Sequence, residues 1–325
     1  MPKINLIEAI NDALTYEMGR DKKVITLGED IGVDGGVFRA TVNLLEKYGK
    51  DRVIDTPLAE SAIVGTAIGM AVYGLKPIAE IQFMGFVYPA FDQIISHASR
   101  IRTRTRGQYT CPMVVRMPYG GGIHAPEHHS ESTEALFIHT PGIKVVVPSS
   151  PADGKGLLLA AIRDPDPVIF LEPKKMYHGE KEEVPEGNYV VELGKAKTVQ
   201  EGSDVTILCW GSMVPVAKKT AETAKEKGIS LEIIDLRTLY PYDAETIVTS
   251  VKKTGRCVII HEAVRTCGLG AELSARIMEE ALLSLKAPVK RVTGYDTIFP
   301  LYKIEKYYMP DEEKLMNAIK EVLNF

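Results

Sequence analysis

Asp55-Thr56-Pro57-Leu58-Ala59-Glu60-Ser61-Ala62-Ile63-Val64-Gly65-Thr66-Ala67-Ile68-Gly69-Met70 lies between two β-prone runs, 52–54 before it and 78–81 after it. Its small apolar residues predict a helix over 61–73. Strand, helix, strand in so short a span is a βαβ unit, whose strands are parallel. Thr56 before Pro57 reads as an N-cap with Pro in the first helical position. Glu60 falls one residue late for a capping box, which puts its acid three residues after the cap. Two readings of Glu60 stay open. It complements the helix dipole, worth about 0.3–1 kcal/mol, or it is a carboxylate at the mouth of an apolar site, with a raised pKa. Gly65 and Gly69 share one face of this helix, which suits close packing and also allows tight contact with another subunit.

The alternation extends in both directions. Residues 4–18 carry Leu6, Ile7, Ile10, Ala13 and Leu14 at helical spacing, and 24–27 is a short strand ending in Gly28-Glu29-Asp30. Strands are expected at 113–115, 144–147 and 168–171, with helices over 89–105 and 152–163. The charged, Pro- and Gly-broken stretch 179–187 marks a boundary. A second alternation follows: strands at 205–209, 231–235, 257–260 and 289–293, and helices over 215–227, 244–253, 271–285 and 311–323. The expectation is an α/β chain with open, mostly parallel sheets. It has a first domain over 1–185, a linker over 186–203 and a second domain over 204–325.

Composition limits the function classes. The chain has 325 residues, 39 Lys plus Arg against 43 Asp plus Glu, and a net charge of −4. That balance argues against nucleic-acid or polybasic membrane-surface binding. The longest uncharged stretch, 61–75, is shorter than the ~20 residues a membrane span needs. No basic region followed by an apolar block opens the chain, so no secretory signal is expected. Cys111, Cys209, Cys257 and Cys267 form no C-x-x-C pair and no disulfide framework, which suggests a reducing cytoplasm.

Three further segments carry chemistry. Glu80-Ile81-Gln82-Phe83-Met84-Gly85-Phe86-Val87-Tyr88-Pro89 crowds aromatics at the carboxyl end of a strand, where open α/β sheets hold ligands. A flat heterocycle can stack there, or the rings are simply core. Gly120-Gly121-Gly122-Ile123-His124-Ala125-Pro126-Glu127-His128-His129-Ser130-Glu131-Ser132 holds three of the seven histidines behind three glycines. Consecutive glycines mean a flexible or a tightly approached loop. A catalytic or substrate-binding His, solvated loop residues, and a metal site are the alternatives; H-E-x-x-H is absent. Arg100, Arg102, Arg104 and Arg106 do not share one helix face. Gly268-Leu269-Gly270 lacks the G-x-G-x-x-G of a dinucleotide loop.

With these segments in view, the sequence resembles the β-subunits of the thiamine-diphosphate-dependent first component of 2-oxoacid dehydrogenase complexes, of the pyruvate or branched-chain type. The likeness runs essentially end to end. It includes Gly28-Glu29-Asp30-Ile31-Gly32, Gly35-Gly36-Val37-Phe38-Arg39-Ala40-Thr41, 55–60, 80–89, 120–132, Pro141-Gly142-Ile143-Lys144-Val145-Val146 and Asp235-Leu236-Arg237-Thr238. The resemblance implies a transketolase-like pyrimidine-binding domain followed by a transketolase C-terminal domain. It also implies an assembly of two α and two β chains.

The resemblance also implies roles. Glu60 matches the carboxyl that hydrogen-bonds the pyrimidine nitrogen of thiamine diphosphate and so activates the cofactor. Phe86 matches the aromatic that packs on the pyrimidine, Gln82 lines the same pocket, and Glu29 matches a carboxylate linked to the activating Glu. His129 matches an active-site His near the step that passes the acyl fragment to the lipoyl group of the dihydrolipoyl acyltransferase component. A potassium site, mostly of main-chain carbonyls, maps to Met113, Ala161, Ile162, Asp164 and Asp166; Pro165 stands where relatives often have Asn. The Gly-Asp-Gly that holds magnesium and diphosphate in such enzymes is absent, so an α-subunit is expected to supply magnesium and that half of the site. A transketolase-type half-enzyme acting on sugar phosphates is the alternative within the same fold.

Overall fold

Six apolar runs of the first part of the chain become parallel strands: β1 (Val24–Gly28), β2 (Val53–Asp55), β3 (Lys76–Glu80), β4 (Val114–Tyr119), β5 (Lys144–Val146) and β6 (Val168–Pro173). They lie in the order β5-β6-β4-β3-β1-β2, every neighbouring pair parallel. Five are buried throughout or nearly so, as strands covered on both faces must be, which explains their largely apolar runs. The structure, a computed structural model, describes all residues, 1–325.

The principal helices of this part are α1 (Leu6–Arg20), α2 (Glu60–Val72) and α3 (Pro151–Arg163). Asn5 and Glu8 close a capping box at the start of α1. Ser150 caps α3, with Pro151 in its first position. Helix α1 meets α3 at Gly154, where a Cβ would stand 2.5 Å from Leu6 Cδ1. Leu6, Ile10, Leu14, Leu157, Leu158, Val168 and Phe170 are among the residues of the core beneath them.

Thr56 does not cap α2. Its N–H donates to the Gly28 carbonyl at 2.9 Å, so it belongs to the strand ends. The helix begins at Glu60 with Ala59 as its cap residue, which puts the Glu60 carboxyl directly at the helix N-terminus. The helix expected over 89–105 is broken into 3-10 turns at Met84–Ala90 and Ala98–Arg100, one π turn at Gln93–His97 and a single α turn at Ile101–Arg104. Pro89 lies in the first of these, where it can donate no backbone hydrogen bond.

The second part builds β7 (Lys197–Gln200), β8 (Val205–Cys209), β9 (Leu231–Asp235), β10 (Cys257–Val264) and β11 (Lys290–Gly294), in the order β11-β10-β8-β9-β7. All neighbours are parallel except β7, which runs antiparallel to β9. Helices α4 (Met213–Glu226), α5 (Ala244–Thr254), α6 (Leu269–Ala281), α7 (Tyr302–Tyr308) and α8 (Glu312–Leu323) accompany it.

The chain divides into two units, Met1–Tyr119 with Leu136–Leu193, and Gly120–Ala135 with Gly194–Phe325. Segment 120–135, expected within a domain 1–185, therefore packs with the C-terminal unit. The expected linker 186–203 is also structured: Val191 N–H donates to the Gly156 carbonyl at 3.1 Å in the first unit, and Lys197–Gln200 is a strand of the second. No helix is long and apolar enough to cross a membrane.

Candidate active site

In the first sheet the chain leaves β1 for β2 on one side and returns to β3 on the other. The carboxyl ends of β1 and β3 thus flank a topological switch point, the place where open α/β sheets hold ligands. Gly28 ends β1 opposite Glu80, the last residue of β3. A Cβ on Gly28 would stand 2.9 Å from the Glu80 carbonyl, so this approach requires glycine. Glu29 and Asp30 follow β1, and Gln82 follows β3. Gln82 Nε2 donates to Asp30 Oδ2 at 3.3 Å, joining the two sides.

Glu29 and Glu60 are both half-buried. Burial pushes the Glu29 carboxyl above its ordinary value, and the negative charges of Asp30 and Glu60 push the same way. The charge of Glu60 therefore reaches Glu29. Phe83 meets Phe86 edge-on, with ring centroids 5.4 Å apart, and Phe38 meets Phe83 at the same separation. Phe83 is the anchor between two rings, and the half-buried Phe86 is the outer member, suited to meet a planar ligand.

Below these residues is a charged cluster that the sequence reading missed. Arg116 on β4 donates from Nε and Nη2 to the two carboxyl oxygens of Glu172 on β6, at 2.8 and 2.7 Å, and from Nη1 to Glu80 on β3. Tyr177 Oη donates to Glu172 at 2.6 Å. All four side chains are buried. Burial pushes the Glu80 carboxyl up, while the Arg116 guanidinium opposes it. The cluster ties the carboxyl ends of three strands together directly before the Gln82–Phe86 turn. Charged residues recurring near strand ends were its only sequence signal.

The glycine-histidine loop belongs to the second unit. The Gly121 N–H donates to Glu262 on β10 at 2.9 Å, and the Gly122 N–H donates to Glu305 on α7. His124 Nδ1 lies 3.0 Å from Glu305 Oε2, and His128 Nδ1 lies 3.6 Å from Glu131. The half-buried His129 closes a 3-10 turn, its N–H donating to the Pro126 carbonyl at 3.0 Å. The neighbouring histidines thus address different partners, and no group of three or more His, Cys, Asp or Glu is placed to hold a metal ion. Of the two loop readings, the tightly approached one describes these glycines.

Met113 directly precedes β4, and Ala161, Ile162, Asp164 and Asp166 span the end of α3 and the turn that leads into β6. The Met113 carbonyl accepts from Val168 N–H at 3.0 Å, and the Ala161 carbonyl accepts from Asp164 N–H at 3.2 Å. Ile162 is buried. Lys144 Nζ lies 2.7 Å from both Asp164 oxygens, and Arg102 Nε lies 2.7 Å from Asp166 Oδ1. Both carboxylates are therefore already met by cations. What this loop can offer a cation is main-chain carbonyl oxygen, as a hard ion prefers.

Residues 2–180 match the family described as the transketolase pyrimidine-binding domain, and residues 194–315 match the transketolase C-terminal domain. The chain is 53% identical over 322 residues to a pyruvate dehydrogenase E1 component subunit beta of Acholeplasma laidlawii, covering 99% of this chain and 98% of that one. This chain belongs to the family of 2-oxoacid dehydrogenase first-component β-subunits. A mitochondrial 2-oxoisovalerate dehydrogenase subunit beta of Dictyostelium discoideum is also 53% identical, over 323 residues, covering 99% of this chain and 87% of that one. Among solved structures, a split-gene transketolase described as an inactive β4 tetramer superposes with a TM-score of 0.81 at 23% identity, covering 99% of each chain. That likeness shows the fold alone, whereas the sequence relatives favour the dehydrogenase reading over the transketolase one. The family is thiamine-diphosphate-dependent, and its β-subunits work with an α-subunit in a multienzyme complex.

Proposed function

We propose that this chain, assembled as two α and two β subunits, carries out the oxidative decarboxylation of pyruvate or a branched-chain 2-oxo acid. The acyl fragment passes to the lipoyl group of a dihydrolipoyl acyltransferase. The observation that carries this reading is the switch-point crevice, which gathers Glu29, Glu60, Gln82 and Phe86. Carboxyls, an amide and an aromatic ring suit a neutral, hydrogen-bonding heterocycle; the same negative crevice would repel a diphosphate. These residues fit the pyrimidine half of thiamine diphosphate, and the α-subunit is left to hold the diphosphate and its magnesium. When bound, the cofactor supplies the acidic carbon and the electron sink that a 2-oxo acid lacks for losing carbon dioxide.

In this reading the chain binds, orients and shuttles a proton. Glu60 stands at the N-terminus of α2, with a carboxyl oxygen available to share a proton with a ring nitrogen. Glu29 answers a change of charge on Glu60, because the Glu60 carboxylate is one of the causes that push the Glu29 carboxyl up. Gln82, held by Asp30, and Phe86, braced by Phe83, orient the ring. His129 serves the acyl-transfer step. Potassium would take the carbonyls of the 161–166 loop and Met113. All four cysteines are free and three are buried, which suits a reducing compartment such as the cytoplasm.

The test is Glu60→Gln, assayed with the matching α chain over pyruvate and branched-chain 2-oxo acids. Decarboxylation should fall by about 10²–10⁴, the usual share of a positioned proton-transfer group, while the assembly stays intact by sedimentation. Near-normal turnover would refute the assignment. Pyruvate- and 2-oxoisovalerate-named relatives are equally identical to this chain, so the screen must include both acids.

A further inference from the structure

The second sheet has a switch point of its own. The chain leaves β8 for β9 on one side and returns to β10 on the other. Trp210 follows β8, and Glu262 lies on β10. Where an open α/β sheet would ordinarily hold a ligand, this one holds residues 120–135 of its own chain. The Trp210 indole hydrogen-bonds the buried Glu134. Glu262 accepts from Gly121 N–H at 2.9 Å, and a Cβ on Gly120 would stand 2.7 Å from the Glu262 carboxylate. A Cβ on Gly121 would enter the Phe299 ring and stand 3.0 Å from Met309 Sδ. On the other side the buried Glu305 takes the Gly122 N–H and His124 Nδ1.

The arrangement is one of mutual satisfaction. A buried carboxylate is costly without hydrogen-bond donors, and successive backbone N–H groups form a natural anion cradle. Glu262 and Glu305 each take one of two successive N–H groups, so the loop and the second unit each complete the other. The loop is also tied within itself. Gly120 N–H donates to the Glu131 carbonyl at 2.9 Å, and Ser130 Oγ donates to the Ala125 carbonyl at 3.3 Å. A displacement at 121–124 is therefore carried to His129.

We propose that Glu262 and Glu305 are positioning residues for acyl transfer, seating the 120–135 loop in the switch-point crevice of the second sheet and so holding His129 in place. This rests on the acyl-transfer reading of His129. Neither carboxylate touches the reacting atoms; each acts through the loop backbone.

The test uses the assembled α and β subunits. Decarboxylation is read with an artificial dye acceptor, acyl transfer with a lipoyl domain, and loop mobility by amide hydrogen exchange. Glu305→Ala should lower acyl transfer at least tenfold, because a misplacement of about 1 Å can cost a hundredfold. Dye-coupled decarboxylation should stay within about twofold, and exchange should rise at 121–129 but not across β8 and β10. Glu305→Gln, which keeps an acceptor, should restore most of the transfer rate. Gly121→Ala pushes the loop off Phe299 from the other side and should give the same split, which covers the case in which Glu305→Ala fails to assemble. The inference is overturned if the two rates fall together, or if loop exchange is unchanged. It is also overturned if transfer stays normal in Glu305→Ala while His129→Ala loses it. Normal transfer in His129→Ala, with His128→Ala as its control, would instead refute the His129 reading, and hydrogen exchange would still show separately whether Glu305 seats the loop.

Discussion

Replacing Arg116 with Met should destabilise the first unit by about 4 kcal/mol at pH 7, because removing one member of a buried ion pair costs about 3–5 kcal/mol. Arg116 is 1% exposed and pairs with two buried carboxyls, Glu80 at 4% and Glu172 at 0%. Met keeps much of the length and none of the charge. Glu172 would keep only the Tyr177 hydroxyl as a hydrogen-bond donor from the cluster. Glu80 could escape by taking up a proton, but holding a carboxyl of ordinary value 4.5 neutral at pH 7 costs about 3 kcal/mol, so the two routes agree in size. The sign with pH follows. Burial already pushes the folded Glu80 carboxyl up, and loss of the guanidinium removes what opposes that. Its protonated form is then fully stabilising at low pH, and that stability is lost as pH rises through the folded value. The deficit should therefore be smaller at pH 5 than at pH 8. Urea unfolding followed by far-UV circular dichroism measures it. Arg116→Lys, which keeps charge but not the two-pronged geometry, should fall between parent and Met. Adding Glu80→Gln and Glu172→Gln to Arg116→Met should recover much of the loss, since no buried charge then remains. A loss below about 1 kcal/mol, or one independent of pH, would refute the view that this cluster is a charged tie between strands.

Two further outcomes are expected. Burial pushes the Glu134 carboxyl from 4.5 to about 7, so the folded chain holds a proton that the unfolded chain has released, and stability should fall as pH rises from about 4.5 to 7. Glu134→Gln should remove up to about 3 kcal/mol of that dependence, read by urea unfolding with the fluorescence of Trp210, the single tryptophan. Gly142 has φ +95° and faces the Ser99 carbonyl, so Gly142→Ala should cost at least about 2 kcal/mol and lower the melting temperature, whereas Gly74→Ala, with φ +101° but open space around it, should cost less.

The parallel architecture was legible because strands buried on both faces must read as continuous apolar runs, and 205–209 and 231–235 stand as read. Elements that bury something other than hydrocarbon were not. Helix α7 presents Tyr302, Ile304 and Tyr307 to solvent and buries Glu305 with Tyr308, so its hydrophobic periodicity is inverted. The carboxylate goes inside because two loop donors wait for it. Strand β7 is exposed nearly throughout and pairs at an edge, leaving no apolar stripe to find. Thr56 looked like a helix cap because Thr-Pro is good capping chemistry, yet the helix begins only at Glu60, with Ala59 in the cap position. The placement of 120–135 with the second unit had no local signal at all. Only the distant Glu262 and Glu305 reveal it, and a carboxylate 141 or 183 residues away is invisible to any window.

The two units share a plan and differ in what fills their crevices. Each is an open sheet whose chain reverses direction beside its first parallel strand. In the first unit the strand ends present Glu29, Gln82 and, from α2, Glu60, all half-buried. In the second the corresponding ends present Trp210 and Glu262, and the chain's own glycines occupy them. A crevice filled by its own backbone cannot take a heterocycle, so the cofactor has one candidate seat in this chain. In the proposed function the filled crevice still bears on the chemistry, because what fills it carries His129. Glycine is required there for a physical reason: any side chain at 120 or 121 would collide with Glu262 or Phe299. Glycines that read from the sequence as either a flexible or a tightly approached loop are the ones that let a histidine loop be held closely.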